Sequence, residues 1–353
     1  MSLKSQMAFW VAALVLFVLL IWLLHEILLP FVAGIALAYL LDPLANRIEH
    51  FGIGRLPATF LILGLFVFLF LLSVVLLAPV LGNQLAAFVD RLPDYAARLQ
   101  SLAVDPGRPW LSRIVRDGLG DAQIGSIVKQ ATGGVLVFVK SLWSGGQTLV
   151  SILSLLIVTP VVAFYLLNDW NRMVATVDHW LPRAHAPTIR ALAREIDRAI
   201  AGFVRGQSGV CLILGSFYAL GLTVTGLNFG LLIGALSGLI SFIPYVGSFT
   251  GLVLSLGVAV AQFFPDWGPI VAVLAVYLIG QFLEGYVLAP YLVGPSVGLH
   301  PVWLMFALVA FGYLFGFVGL LIAVPLAAAI GVLVRFALKS YLASSLYWGG
   351  EAG

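Results

Sequence analysis

Two long apolar stretches in the last third of the chain are each interrupted near the middle by glycine and proline. The first covers residues 230–264 and is interrupted at 243–247, and the second covers residues 302–338 and is interrupted at 315–319. In lipid, the backbone groups at such an interruption find hydrogen-bond partners only in protein or in a water-filled cavity. Paired interruptions of this kind indicate the binding site of a transporter. The sequence therefore predicts a protein that moves a solute across a membrane.

The composition also places the chain in a membrane. Hydrophobic residues make up 62% of the 353 positions and charged residues 9%, a balance that water-soluble domains of this size lack. Most charged residues lie in residues 83–147 and 169–207, which we therefore expect to be in water. The net charge of +3 and the absence of a basic run argue against a nucleic-acid partner. The single cysteine, Cys211, argues against disulfides and thiolate metal sites, and we expect neither a metal nor another cofactor.

The apolar segments predict an all-α, polytopic membrane protein with about eight membrane segments, two of them broken or re-entrant. A span needs about 20 apolar residues. The N-terminal segment is expected to be a first span and not a signal peptide, because no cleavage site follows it. The candidate spans are Met7–Leu29, Phe31–Leu41, Ala58–Leu81, Thr148–Leu167, Ser208–Leu227, Gly230–Phe264, Pro269–Leu292 and Val302–Leu338.

Lysine and arginine in the short loops predict the orientation. With eight passes, Lys4, Arg47, the arginines of residues 172–205 and Arg335 all fall on one side. Both termini are therefore expected in the cytoplasm, with residues 83–147 outside. Replacing both interrupted spans by re-entrant hairpins leaves this assignment unchanged, so a single kinked crossing and a hairpin both remain open.

The charge and hydropathy patterns divide the chain into six parts. One is expected to be an extracytoplasmic amphipathic helical segment, and another contains a cytoplasmic amphipathic helix whose arginines suit anionic lipid headgroups. A scaffold is the simplest interpretation of the outer segment, with ligand capture as the alternative. A lipid-facing helix is the preferred interpretation of the inner one, with gating as the alternative. The parts are residues 1–82 with three spans, the outer segment 83–147, the fourth span 148–168, the cytoplasmic helix 169–207, a transport bundle 208–340 and a cytoplasmic tail 341–353.

Glu284, inside the apolar segment 269–292, is the sharpest candidate for a functional side chain. An ionised carboxylate near the bilayer centre costs roughly 2.5–3.5 kcal/mol, so such a residue usually faces a cavity or a partner. The alternative is that Glu284 lies near a membrane end and extends to the interface. Heptad spacing predicts one inward face formed by Tyr277, Gln281, Glu284, Leu288 and Tyr291.

The two interruptions supply the other predicted site atoms. Pro244 and Gly247 in the first, and Gly316 and Gly319 in the second, are expected to open backbone groups towards a solute, with Tyr245 beside the first. Small residues at four-residue spacing around both interruptions favour close helix packing. A mobile hinge at Pro244 or Gly316 is the alternative interpretation.

Enzyme signatures in the chain are weak. Residues 206–209 match the Gly-x-Ser-Gly string of intramembrane serine proteases, but we expect no histidine beside them to act as the base. His25 and Glu26 begin a zinc-protease helix pattern, which fails because residue 29 is leucine. No Gly-Lys phosphate-binding loop is present. The sequence therefore predicts that the protein is not an enzyme.

Several strings in the second half of the chain resemble the autoinducer-2 exporter family of bacterial membrane proteins. They are FIPYVG at 242–247, EGYVLAP at 284–290, VG at 293–294, VGLHP at 297–301, FG at 315–316 with Gly319, and AVPL at 323–326. The layout of three spans, an outer helical segment, a fourth span, a cytoplasmic helix and a C-terminal bundle is also similar to that family. The motif residues with no other predicted role are Arg205, Gly206, Gln207, Pro290, Gly294, His300, Pro301 and Pro325.

The resemblance implies a secondary transporter in the bacterial inner membrane that exports a small polar solute, such as the quorum-sensing signal. It also implies proton or sodium coupling, and a homo-oligomer, a pentamer among the options, embedded in membrane lipids. Sodium or lithium/proton antiport is an alternative, and a non-transporting oligomeric scaffold is an alternative of another class. The chain departs from the family at residues 294–296, where Gly-Pro-Ser replaces a glycine followed by Arg or Lys. This loop therefore lacks a cation that could bind an anionic group.

Overall fold

The computed structural model describes residues 23–24, 27–103, 146–293, 298–344 and 347. Within these residues the chain is helical apart from short connections and contains no strand, and seven helices are long and apolar enough to cross a membrane. The prediction of an all-α, polytopic membrane protein is confirmed. Most of the predicted first span, the outer segment beyond residue 103 and the end of the C-terminal tail lie outside the described residues.

The helices begin where the sequence supplies start signals. Pro30 and Pro301 occupy the first turns of their helices, and the Asp266 carboxylate accepts a hydrogen bond from the Gly268 N–H at 3.1 Å. In order, the described helices are α1 (Leu29–His50), α2 (Arg55–Ala103), α3 (Gly146–Trp180), α4 (Ala186–Val224), α5 (Gly230–Ile240), α6 (Val246–Phe263), α7 (Trp267–Phe282), a π-helix (Leu283–Val293) and α8 (Pro301–Leu342).

Two helices continue through the borders expected between membrane and aqueous segments. α2 has 49 residues and α4 has 39, so no helix ends near residue 83 or residue 207. At about 1.5 Å per residue, α2 is about 74 Å long, more than twice the hydrocarbon thickness of about 30 Å. The amphipathic segments predicted to begin at residue 83 and to end at residue 207 are therefore helically continuous with their apolar neighbours, and Pro93 lies inside α2 without ending it. The domain limits stay a prediction.

The chain divides into two compact units, each built from several segments. The first unit contains Met1–Val67, Leu153–Gly206 and Leu292–Gly353, and the second contains Phe68–Ile152 and Gln207–Tyr291. The helices α2, α3 and α4 therefore each contribute residues to both units.

In the first unit, α1 packs against α2 and α3. Gly34 lets the helices approach, since an added Cβ would lie 2.7 Å from the Val162 side chain. Arg55, the first residue of α2, donates to the Leu167 carbonyl oxygen at 2.7 Å and to the Asp42 carboxylate at 2.8 Å, which joins all three helices. The buried core residues here are Leu37, Ala38, Leu41, Ala45, Ile62, Leu63, Ala163 and Leu167.

The first unit also contains the second interrupted stretch, which is a helical hairpin. α8 reverses at Gly316, whose φ of 59° and ψ of −138° are not helical. A Cβ added to Gly319 would overlap the Phe311 carbonyl oxygen, although residues eight apart in a straight helix are about 12 Å apart. At the far end of the two arms, a Cβ added to Gly331 would lie 2.9 Å from the Leu299 side chain. The two arms of α8 are therefore antiparallel and in contact along their length.

In the second unit, the first interrupted stretch is a hairpin formed by α5 and α6. α5 has 11 residues, which is about 16 Å and half of the hydrocarbon thickness. A Cβ added to Gly247 would overlap the backbone of Ser241, and one added to Gly251 would overlap the Ser237 hydroxyl. The glycines of α6 thus pack directly on α5. The sequence left open whether each interrupted stretch is a single kinked crossing or a hairpin. In the structure, both stretches are hairpins.

The hairpin of the second unit packs equally closely on α4. A Cβ added to Gly234 would overlap the Ala219 backbone, and one added to Gly238 would overlap the Gly215 backbone. Glycine at these positions brings helix backbones into contact in lipid, where burial of apolar surface adds little. The close packing predicted for this small-residue ridge is confirmed.

The extension of α2 packs on the start of α5. The Phe88 ring meets Phe229 edge-on at a centroid distance of 5.3 Å. The Gln84 side-chain oxygen accepts a hydrogen bond from the Leu232 N–H at 3.0 Å, which satisfies one of the free donors in the first turn of α5. The Tyr95 hydroxyl accepts from the Asn228 amide at 3.0 Å. These contacts make the extension a support for the hairpin.

We expect Gly238→Ala to destabilise the protein by about 1–3 kcal/mol, because the new methyl group overlaps the Gly215 backbone, which cannot rotate away. The unfolding temperature in detergent, followed by tryptophan fluorescence, measures the effect. Gly257→Ala is the matched control, since nothing lies within 4 Å of its Cβ position. Equal unfolding temperatures for the two variants would contradict the close packing of α4 and α5.

Candidate functional site

The Glu284 carboxylate is half-buried in the second unit and is held by two neutral donors. The Ser248 hydroxyl donates to Glu284 Oε2 at 2.9 Å, and the Gln281 side-chain amide donates to the same oxygen at 3.0 Å. Ser248 belongs to α6 and Gln281 to α7, so two elements fix the position of the acid. Two neutral hydrogen bonds satisfy one carboxylate oxygen but leave the negative charge without a cation among these contacts.

The π-helix that carries Glu284 explains why part of the predicted inward face is wrong. A π-helix forms i→i+5 hydrogen bonds, so its side chains rotate away from the α-helical register after a few residues. Tyr291, placed on the Glu284 face by the α-helical spacing, is 84% exposed, while Tyr277 and Leu288 are buried. Gln281 is exposed, although its amide reaches Glu284. Pro290 lies inside the π-helix and has no N–H to donate.

A second polar group, around Tyr277, lies in the same unit. The Tyr277 and Ser237 hydroxyls are 3.1 Å apart, and the Ser237 hydroxyl also contacts the Ile233 carbonyl oxygen at 2.6 Å. Tyr277 stacks on Tyr218 with a centroid distance of 4.6 Å and an interplanar angle of 20°. Gly251 leaves room for the Tyr277 hydroxyl, since an added Cβ would lie 2.6 Å from it. α4, α5 and α7 therefore meet at polar side chains inside an apolar unit.

Sequence reasoning missed Tyr218 and Ser248 as candidates for this site. Both are distant from Glu284 in the chain, and no periodicity on one helix connects them to it. One signal was present: Gly280, in the last turn of α7, lies about one helical turn before Glu284, and the ring of Tyr218 occupies the space that this glycine leaves. A glycine next to an intramembrane acid therefore indicated the approach of another side chain.

The tip of the α5–α6 hairpin carries the predicted backbone groups of the first interruption. Tyr245 has a left-handed backbone with φ of 68° and a side chain that is 52% exposed, and it directly follows Pro244. The Gln207 side-chain amide donates to the Ser241 carbonyl oxygen at 2.6 Å. This bond satisfies a carbonyl group at the end of α5 that has left the helix. Gly247 packs on Ser241 from the other side.

The second interruption lies in the first unit. Gly316 forms the reversal of α8, and Gly319 packs against the first arm. That these glycines share one cavity with Glu284 stays a prediction.

Three consecutive motif residues of α4 make three separate contacts. Arg205 Nε donates to the Tyr39 carbonyl oxygen of α1 at 2.7 Å. Gly206 lets the backbone at Leu292 approach, because an added Cβ would overlap the Leu292 carbonyl oxygen. Gln207 supports the hairpin tip. The predicted motif therefore has a packing role at each position.

Three further motif residues, His300, Pro301 and Pro325, lie at the start of α8 or inside it. His300 accepts a hydrogen bond from the Val302 N–H through Nδ1 at 3.3 Å, and Pro301 opens α8. Pro325 lies inside the second arm of α8. Gly294 and the residues that depart from the family pattern lie outside the described residues. In the part of the chain that the structure describes, no three His, Cys, Asp or Glu side chains are grouped as a metal site.

Comparison with known proteins assigns the family. The sequence profile described as "AI-2E family transporter" matches residues 11–339, which is nearly the whole chain. The chain belongs to this family. The resemblance deduced from the motif residues is confirmed, and the protein is a multi-pass membrane protein of a transporter family.

Individual relatives cover most of the chain. "Putative transport protein YrrI" of Bacillus subtilis (strain 168) is 31% identical over 323 residues, which are 89% of this chain and 87% of the relative. "Putative permease PerM" of Escherichia coli (strain K12) is 32% identical over 326 residues, 89% of this chain and 88% of the relative. "AI-2 transport protein TqsA" of the same strain is 24% identical over 314 residues, 89% and 86% of the two chains.

We expect Gln207→Met to destabilise the protein by about 1–3 kcal/mol. The substitution keeps the length of the side chain and leaves the Ser241 carbonyl oxygen without its buried donor. The unfolding temperature of the purified protein in detergent measures the loss. An unfolding temperature equal to that of the wild type would show that the Ser241 carbonyl group finds another donor.

Proposed function

We propose that the protein is a secondary transporter that exports a small polar solute, and that an ion bound at Glu284 is coupled to this movement. Membership of a transporter family supports transport as the activity. The single observation that carries the site is the Glu284 carboxylate, half-buried in an apolar unit and bonded only by neutral donors among its hydrogen bonds. A proton or a small cation can neutralise a charge held in this way.

Ser248 connects the acid to the interrupted stretch. It lies in the first turn of α6, directly after the turn of the hairpin, and donates to Glu284. A hydrogen bond to an ionised carboxylate is roughly twice as strong as one to a neutral group. Binding of a proton or cation therefore weakens the hold of Glu284 on the hairpin tip. We propose that this change links ion binding to the backbone groups at Pro244 and Gly247 that contact the solute.

The remaining members of the proposed site have less direct support. Gln281 donates a hydrogen bond to the Glu284 carboxylate, the Tyr277 hydroxyl contacts the Ser237 hydroxyl, and Tyr245 has an exposed ring at the hairpin tip. We propose that Gly316 and Gly319 supply the corresponding backbone groups of the second hairpin. The name of TqsA concerns AI-2 transport by that protein, and at 24% identity we propose the same quorum-sensing signal only as the first solute to test.

We also propose a setting for this activity. Lysine and arginine in the short loops favour both termini in the cytoplasm, and the family resemblance favours a bacterial inner membrane. The family resemblance favours a homo-oligomer, with a pentamer as the first number to test. The exposed arginines Arg194 and Arg198 lie four residues apart on α4 and suit anionic lipid headgroups, whereas Arg190 pairs with the Asp178 carboxylate at 2.6 Å.

We expect Glu284→Gln to lower ion-driven solute flux at least tenfold while the protein keeps its fold. A glutamine oxygen still accepts the Ser248 hydrogen bond, but the side chain carries no charge for a proton or cation to neutralise. Flux of the AI-2 signal into inside-out proteoliposomes, driven by an imposed proton or sodium gradient, measures the effect. Undiminished coupled flux in the variant would remove Glu284 from the mechanism.

Glu195→Gln is the matched control, because Glu195 is an exposed residue of α4 paired with Arg335 at 3.4 Å. We expect this variant to keep wild-type flux. Cation exchange that depends on Glu284, without AI-2 flux, would favour the sodium or lithium/proton antiporter. Absence of both activities in the wild type would favour the non-transporting scaffold.

A further inference from the structure

Tyr218 of α4 has a buried hydroxyl group without a hydrogen-bond partner in the described part of the chain. Its side chain is 0% exposed, and its Oη makes no hydrogen bond. An unpaired buried polar group costs free energy, and phenylalanine would fill the same space without that cost. In a native protein such a group requires an explanation, of which a bound ion, water molecule or ligand is one.

The surrounding packing holds this hydroxyl at the Glu284 site. The ring stacks on Tyr277 at 4.6 Å, and its Oη would lie 2.5 Å from a Cβ added to Gly280. Gly280, at the end of α7, lies about one helical turn before Glu284, which is in the π-helix that follows. The Gln281 and Ser248 side chains lie beside the phenol oxygen but outside the distance or angle of a normal hydrogen bond, and Glu284 is close enough for a coulombic interaction with it. The two donors that hold the acid therefore also border the Tyr218 hydroxyl.

The hydrogen-bonding capacity left over at the site consists mainly of acceptors. The Ser248 hydroxyl donates its proton to Glu284 Oε2, and one Gln281 N–H donates to the same oxygen, so the other Gln281 N–H and the Tyr218 O–H are the donors that remain. The acceptors that remain are the second Glu284 carboxylate oxygen, the Gln281 side-chain oxygen and the lone pairs of the Ser248 and Tyr218 hydroxyls. A set of oxygen acceptors beside an unneutralised carboxylate favours a small cation or a hydrogen-bond donor and disfavours an anion.

We propose that the Tyr218 hydroxyl is a binding group of the Glu284 site and contacts the bound ion or donor directly. This inference rests on the proposed function of Glu284. It adds a residue from α4 to a site formed otherwise by α6, α7 and the π-helix. It also assigns a purpose to Gly280, since any larger residue there would displace the phenol from the carboxylate.

Binding to the purified full-length protein tests the proposal. Three probes are titrated separately, namely NaCl, LiCl and protons between pH 8.5 and 5.5. Choline chloride holds the ionic strength constant in the two salt titrations. Binding to the folded state raises the unfolding temperature, which the tryptophan fluorescence of the protein reports. Besides Glu284, the titratable groups near the site are Tyr218 and Cys211 of α4 and Tyr277 of α7. A probe that raises the unfolding temperature of the wild type but not of Glu284→Gln is one that binds through the acid.

We expect Tyr218→Phe to need about a tenfold higher concentration of that probe for the same rise in unfolding temperature. For protons, the same rise should need a pH about one unit lower. Tenfold is the factor that a hydrogen bond of about 1.4 kcal/mol supplies. Without the probe, the variant should unfold at the wild-type temperature or above it, because the lost hydroxyl has no hydrogen-bond partner among the described residues. A lower unfolding temperature would mean that the hydroxyl has a structural partner and would overturn the inference. Tyr95→Phe is the matched control in the same unit, with an unchanged response to the probe expected.

The outcomes separate this inference from the proposed function. If the titrations of Tyr218→Phe and the wild type coincide while Glu284→Gln abolishes the response, Tyr218 is not a binding group and the Glu284 site stands. If no probe gives a response that depends on Glu284, the proposed site and the inference both fail. A response that weakens in Tyr218→Phe and vanishes in Glu284→Gln supports both.

Discussion

The absence of water in the hydrocarbon region is the constraint on which this structure depends. A helix that opens there exposes backbone groups that only the protein itself can satisfy. Gln207 meets this demand at the first hairpin, where its amide donates to the Ser241 carbonyl oxygen. Gln84 does the same for the start of α5 through the Leu232 N–H. Side chains from α4 and α2 thus stabilise a short hairpin that α5 and α6 alone would leave unsatisfied.

Glycine and polar side chains have complementary functions in the second unit. Glycines at Gly234 and Gly238 bring backbones together, so that short hydroxyl side chains reach across from one helix to the next. Ser248 and Ser237 then place hydrogen bonds at Glu284 and Tyr277. The acid is consequently fixed by packing that begins several turns away from it, which is how a single carboxylate acquires a defined position in an apolar environment.

The sequence predicted the features that single residues or short strings determine. Pro244 and Gly316 indicated both interruptions because the helix cannot continue through their backbone geometry, and Glu284 stood out because charge is costly in lipid. The direction of the chain after each interruption was not predictable, because it depends on the backbone angles at Gly316 and Tyr245. The π-helix was missed since hydrophobic periodicity assumes the α-helical register. Tyr218 was missed because its contact with the Glu284 site exists only after α4 and α7 pack together.

Glu284 is the only acidic residue between positions 267 and 350, and this solitary carboxylate has a thermodynamic consequence. In the proposed mechanism, neutralising this one charge takes one monovalent ion in each cycle. At a membrane potential of 100 mV, one elementary charge supplies about 2.3 kcal/mol. The potential alone therefore sustains roughly a fiftyfold concentration ratio of an uncharged solute across the membrane. One ion per cycle, as proposed for Glu284, therefore suits the clearance of a solute that the cell produces continuously, for which a steep gradient is unnecessary.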